Sequence, residues 1–288
     1  MNPETTSSDP ESPPAIVLSI AGSDCSGGAG IQADLKTFAY FQTYGLTAVT
    51  SIVAEAPGKV VSIEAVSAES LQAQLQILND SYQIQAIKTG MLANAELCKV
   101  VANFLEDLST SDNVIPIVID PVLVSSSGKP LLDPDALALY RQRLLPLATL
   151  ATPNLDEAAA LLDLPAITSH EEMDQAARKF TGKYQCMTLL KGGHLDGSDA
   201  TDILWDGHSI QDFSEPRIRD KNPHGTGCTY SAAIAALLAH DYPLPAAIAE
   251  AKEYISVAIE QSSQLSDTGF KVDTLNHFPV GQDSDSAL

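Results

Sequence analysis

Residues 85–122 read QAIKTGMLANAELCKVVANFLEDLSTSDNVIPIVIDPV. QAIKTGM predicts a strand that ends in a glycine turn, NAELCKVVANFLEDL a helix, and NVIPIVIDPV a second strand. The same alternation runs outward in both directions. Upstream, AIVLSIAG (15–22) predicts a buried first strand, and Ile31, Leu35, Phe38 and Phe41 or Gln42 recur at near-helical spacing over 29–44. LTAVTSIVA (46–54) is a second strand by its β-branched content, VVSIEAV (60–66) a third on an excursion, and SAESLQAQLQILNDSY a helix. Downstream, DPDALALYRQRLL predicts a helix with Asp133 as N-cap, TLATPN a strand, LDEAAALLD and SHEEMDQAARKFTG two helices, and QCMTLLKGGH a strand. A hairpin around Asp206-Gly207 and helices near 227–240 and 244–263 complete the pattern. Strands alternating with helices of this length predict an α/β fold with a mostly parallel sheet covered on both faces.

The chain has 288 residues, 44% hydrophobic and 18% charged, as expected of an ordinary globular protein. We expect one domain over 15–265, a disordered leader over 1–14 and a polar tail over 266–288. A formal net charge of −21 argues against nucleic acid or an anionic membrane as partner. No apolar run approaches the roughly 18 residues that span a bilayer, and the N-terminus lacks the basic-then-apolar order of a secretory signal. Cys25, Cys98, Cys186 and Cys228 form no CxxC pair or metal cluster, so the expected location is a reducing cytoplasm.

In parallel sheets ligands bind at the carboxyl ends of strands. Four loops there stand out: AGSDCSGGAG (21–30), ATPNLDEA (151–158), LKGGH (190–194) and HGTGCT (224–229). Glycine lets backbone N–H groups approach an anion, although any one such loop is more often a tight turn. HGTGCT opening an alanine-rich helix gathers orphan N–H groups and the positive end of a helix dipole, an anion site at Gly225, Thr226 and Gly227. The duller alternative is a glycine-containing helix start with a buried small cysteine. Asn154 and Glu157 share a helix face, where they can form a capping box or hold Mg²⁺ through water. Neither GxxxxGK[ST] nor a GxGxxG after the first strand is present, which disfavours P-loop and dinucleotide-binding readings.

Read together, AGSDCSGGAGIQADLKTF, KTGML, IDPV, TPNLDEA, KGGH and HGTGCTYSAAI resemble the hydroxymethylpyrimidine/phosphomethylpyrimidine kinase family of thiamine biosynthesis, over roughly 15–265. The resemblance implies a ribokinase-like three-layer αβα fold and ATP- and Mg²⁺-dependent phosphorylation of 4-amino-5-hydroxymethyl-2-methylpyrimidine. Phosphorylation of its monophosphate is implied for bifunctional members. A monovalent cation is a further candidate cofactor, and a homodimer is the expected assembly. By motif match, Gly22, Ala29, Asp34, Met91 and Val122 line the pyrimidine pocket. Asp120, Asn154 and Lys191 serve the nucleotide, and Glu157 the metal through water. Each also has an ordinary reading: packing for Gly22, Ala29 and Val122, a helix-surface charge for Asp34, a solvated strand end for Lys191. Pyridoxal kinases belong to the same branch, and a vitamer kinase or a nonenzymatic pyrimidine-binding regulator are the alternatives.

Two departures from wider patterns matter. After the second strand the family usually carries glutamine, and here VAEAPGKV puts Glu55 at that place. A glutamine both accepts and donates, whereas an ionised glutamate only accepts. Glu55 therefore either binds the aminopyrimidine through one shared proton or marks a different alcohol. In much of the superfamily an aspartate takes the proton from the substrate hydroxyl where this chain has Cys228. A helix N-terminus and nearby cations favour the thiolate, so Cys228 is expected to act as a base near neutrality. Some relatives also carry a lysine in LVSSSGKPLL (123–132), where this chain has serines.

Overall fold

The computed structural model describes residues 13–56, 58–109, 114–123, 132–193, 195–221, 223–265 and 273–280. Residues 1–12 of the expected 1–14 leader, most of the 123–132 loop and the end of the tail lie outside them. Among the described residues nine strands form one sheet. They are β1 (Ile16–Asp24), β2 (Tyr44–Ala56), β3 (Lys59–Ala65), β4 (Ala86–Thr89), β5 (Ile117–Ile119), β6 (Leu150–Ala151), β7 (Met187–Lys191), β8 (Asp199–Trp205) and β9 (Ile210–Pro216). Their order is β3-β2-β1-β4-β5-β6-β7-β8-β9. The six strands from β2 to β7 in that order are parallel, and antiparallel partners flank them: β3 on one side, the β8–β9 hairpin on the other.

Helices α1 (Gly30–Tyr40), α7 (Thr226–Ala239) and α8 (Leu244–Glu260) cover one face. Helices α2 (Ala68–Ser81), α3 (Ala95–Ser109), α4 (Pro134–Leu139), α5 (Leu155–Leu162) and α6 (His170–Tyr184) cover the other. This is the three-layer αβα arrangement expected. α3 buries Leu97, Cys98, Val101, Ala102 and Leu105, one stripe of an amphipathic helix. α7 is different. Its run from Thr229 to Leu237 is buried all round, which alanine and serine permit because small side chains let α1, α8 and the sheet approach closely.

Local signals account for several boundaries. Ser67 and Ser169 accept from the amides of Ser70 and Glu172 at the starts of α2 and α6. The first helix stops at Tyr40, short of the expected residue 44, because Gln42 turns left-handed at φ 56° and the chain enters β2 directly. Asp133 makes no side-chain cap, and α4 widens over Tyr140–Leu144 into a π-helical turn that hydropathy does not announce. The packed unit also runs past the expected end at 265, since Leu275 and His277 are buried. No helix among the described residues is long and apolar enough to cross a membrane.

Candidate active site

β1 lies between β2 and β4 in the sheet, where the strand order reverses. A cavity of about 590 Å³ opens along the carboxyl ends of β2, β1, β4, β5, β6 and β7, where parallel sheets place their ligands. Gly22, Ala29, Glu55, Met91, Val122, Asp120, Asn154, Glu157, Lys191, Gly225, Thr226, Gly227 and Cys228 all line it. Of the residues expected from sequence, Asp34 alone is not on its wall.

Asp34 is fully buried on α1, where its carboxylate receives the Lys88 ammonium at 2.9 Å on both oxygens and the Ser19 hydroxyl at 2.5 Å. Neither a pocket residue nor a surface charge, it is the counter-ion beneath the floor. The cavity is met instead by Lys88, on β4. Burial alone would favour the neutral amine, but Asp34, with Cys228 and Asp120 nearby, raises the Lys88 pKa and keeps it charged.

At the β2 end sits a cluster of Asp24, Glu55 and His224. The β2–β3 ladder is irregular between Ala54 and Glu55, a bulge that re-aims the Glu55 side chain. The Cys25 sulfur pins the Glu55 backbone, 3.2 Å from its carbonyl oxygen and 3.4 Å from its amide nitrogen. His224 Nε2 lies 3.4 Å from Asp24 and 3.9 Å from Glu55. Burial and the Asp24 charge push Glu55 up, with His224 opposing. Asp24 is held at about 2 against its own burial by His224, Ser26 and the Ala29 amide. It organises the first glycine loop, accepting from the amides of Ser26, Gly28 and Ala29 at 2.7, 3.1 and 2.8 Å.

The two glycine loops touch. Gly225 has φ 84°, and a Cβ there would run into the Gly28 carbonyl, so glycine is required both by conformation and by space. As N-cap of α7 it supplies no side-chain acceptor, and the first turn carries no acid. The amides at that helix start are left for an anion.

At the β5–β7 end, Lys191 Nζ donates to Asp120 Oδ1 at 2.9 Å, and Thr152 donates to the same oxygen at 3.1 Å. Burial raises Asp120, but Lys191 and Lys88 outweigh it and hold the carboxyl ionised. Asn154 and Glu157 form a complete capping box, with reciprocal bonds of 2.8 and 2.9 Å. Glu157 is nevertheless buried against the cavity, and burial pushes it up to about 7 although Lys191 pulls the other way. Two carboxyls thus share one ammonium. That surplus of oxygen donors and negative charge fits a hard divalent cation such as Mg²⁺.

Cys228, in the first turn of α7, lies between these ends. Burial pushes its thiol up to about 11; Lys88 and the Gly30 amide pull it down, while Asp34 and Asp120 raise it further. Burial outweighs the Lys88 cation, so the resting group is a thiol and the thiolate expected at this helix start is its minority form.

Sequence reading missed Asp24, Lys88 and His224. Lys88 was discoverable, because a lysine inside an apolar strand is rarely buried without a partner. Asp24 also carried a signal, an aspartate opening a Ser-Gly-Gly turn.

A model of the family described as phosphomethylpyrimidine kinase matches residues 24–273. The chain is 43% identical over 251 residues to the hydroxymethylpyrimidine/phosphomethylpyrimidine kinase of Rhizobium meliloti, covering 87% of this chain and 92% of the relative. Among solved structures, the pyridoxal kinase of Staphylococcus aureus in complex with AMP-PCP and pyridoxal superposes with a TM-score of 0.82 at 33% identity, over 92% of this chain and 94% of the other. The phosphomethylpyrimidine kinase of Clostridium difficile gives 0.74 at 34%, over 85% and 99%.

Proposed function

The chain belongs to the phosphomethylpyrimidine kinase family, and from that premise we propose that it transfers the γ-phosphoryl group of ATP to the hydroxymethyl oxygen of 4-amino-5-hydroxymethyl-2-methylpyrimidine, then to the monophosphate so formed. One observation carries the reading. A single cavity joins an apolar, carboxylate-edged end at Met91, Val122 and Glu55 to an anion-binding end at Gly225, Gly227 and Lys191, with Cys228 between them.

Phosphoryl transfer asks mainly for positioning and charge stabilisation. The alcohol oxygen bonds to the γ-phosphorus, the bond to the β–γ bridging oxygen breaks, and ADP leaves. In this reading the amides of Gly225, Thr226 and Gly227 hold the transferring charge, and Lys191, fixed by Asp120, faces the nucleotide. Mg²⁺, when bound beside Glu157 through water, neutralises charge on the phosphates. The alcohol proton passes to Cys228 in the fraction of enzyme whose sulfur is a thiolate, the form that Lys88 stabilises and that grows as pH rises.

Glu55 reads the pyrimidine edge with a proton shared among Glu55, His224 and the ring. The measurement is ADP release with product identification on a panel holding the aminopyrimidine, its monophosphate and pyridoxal. Turnover of both pyrimidines in preference to pyridoxal supports the proposal, whereas pyrimidine binding without turnover would make the protein a regulator. Glu55→Gln should change the aminopyrimidine KM by about three- to thirtyfold, the worth of one polar contact. An unchanged KM and unchanged preference over pyridoxal would remove Glu55 as a reader.

A further inference from the structure

The segment 273–280 lies almost wholly beyond the family match, which ends at 273, yet it is built into the protein. Thr274 pairs with Ser263 just after α8, its amide donating to the Ser263 carbonyl at 2.8 Å, and forms a parallel bridge with His224. Leu275 is buried in the core shared by α1, α7 and α8. His277 is 3% exposed, and its Nε2 lies 3.2 Å from the hydroxyl of Thr229, which is fully buried. Tyr254 of α8 donates to the His277 carbonyl at 3.0 Å, so the backbone beside the ring is tied as well.

Thr229 is the residue whose amide donates to Gly225 at 3.0 Å and closes the first turn of α7. The two residues that bracket the anion site, His224 before it and Thr229 after it, are therefore both fastened to this one segment. A glycine-rich helix start has little stiffness of its own. Four orphan amides can hold a phosphate only if their directions are held first. We propose that His277 is a positioning residue for phosphoryl transfer: through Thr229 it holds the first turn of α7, and with it the amides at Gly225, Thr226 and Gly227, in the direction that receives the phosphates.

The ring suits the task. Burial, with Lys36 nearby, pushes its pKa down to about 4, so it is neutral at physiological pH and adds no charge behind the anion site. A threonine hydroxyl both donates and accepts, so the bond forms with either ring tautomer. The proposal rests on the reading that these amides hold the phosphates of ATP.

The test compares His277→Ala, Thr229→Val and His277→Asn in the full chain, by amide hydrogen exchange over 224–230 and by KM for MgATP and for the pyrimidine alcohol. Thr229→Val keeps the side-chain shape and removes only the bond, which covers the case where His277→Ala fails to fold. In His277→Ala and Thr229→Val, exchange over this stretch should quicken and the MgATP KM should rise, each by about tenfold. The alcohol KM should stay within about twofold, because a misdirected turn loses positioning at the phosphates first. His277→Asn, which restores a polar partner, should recover most of both. Wild-type exchange in Thr229→Val, or a parallel rise in both KM values, would overturn the proposal. If the wild type turns over no pyrimidine alcohol, the functional reading fails instead, and the exchange comparison still decides whether the segment holds the turn.

Discussion

The floor of the cavity and its β5–β7 end are both built from buried charge, but their balance differs. In the floor, Asp34 and Lys88 neutralise each other, and Ser19 satisfies the carboxylate further. At the other end Asp120 and Glu157 share Lys191, and burial leaves Glu157 titrating near 7. Burial makes unpaired charge expensive, so a balanced pair is self-sufficient structure. An unbalanced cluster beside a cavity is instead waiting for charge from outside. The difference separates what holds the site from what binds in it.

The comparison can be broken most severely in the floor. Lys88→Met leaves Asp34 buried without its cation and should cost about 3–5 kcal/mol in denaturant unfolding, with much of it regained in Lys88→Met/Asp34→Leu. A loss below about 1 kcal/mol in the single variant would show that the pair does not carry the floor.

Between the two regions, Cys228→Ala should lower kcat for the alcohol by about a hundredfold or more while MgATP affinity is kept, because backbone amides make the anion site. The second transfer should suffer less. Its nucleophile is a phosphate oxygen, already ionised at neutral pH with a second pKa near 6, and needs no base. Since the resting thiol titrates at about 11, wild-type kcat/KM for the alcohol should climb with pH above neutrality, by up to about tenfold per unit, and Cys228→Ala should flatten that climb. Equal losses in both transfers, or near-normal turnover, would dismiss Cys228 as the base.

The smallest effect sharpens the unbalanced end. Glu157→Gln keeps an acceptor for the Asn154 amide but removes the excess charge. Glu157 titrates near 7 when folded, against an ordinary 4.5. Below about 4.5 both states are protonated and its ionisation costs nothing. The cost grows as pH rises through that interval and is complete above about 7. The variant should thus match wild type in thermal melts at pH 4 and exceed it at pH 8 by on the order of 2 kcal/mol, while losing Mg²⁺-dependent activity. Equal stability at pH 8 would mean that the cluster is balanced after all.

Most of the fold was legible because hydrophobic periodicity reports which faces are buried, and strand-helix alternation then leaves few arrangements. It failed where local conformation overrode pattern. Gln42 turned left-handed and ended α1 early, and Tyr140–Leu144 wound as a π-turn. In the site, glycine loops and the Asn154–Glu157 spacing mark the backbone that meets the cavity. Asp34 was misplaced because a motif gives a residue's neighbours along the chain, whereas its partner Lys88 comes from a different strand. His277 lay in a stretch read as tail, since the packing of Leu275 against α7 and α8 has no periodic signature.

By itself the sequence determined the αβα class, the strand ends that face the site, and the amide-lined turn at Gly225, because these follow from side-chain pattern and local backbone chemistry. Tertiary structure alone decided how charge is distributed: that Lys88 neutralises Asp34, that Lys191 serves two acids, and that Cys228 rests as a thiol. The physical reason is that a group's ionisation depends on burial and on charges a few ångströms away, and in a parallel sheet those neighbours come from strands far apart in the chain.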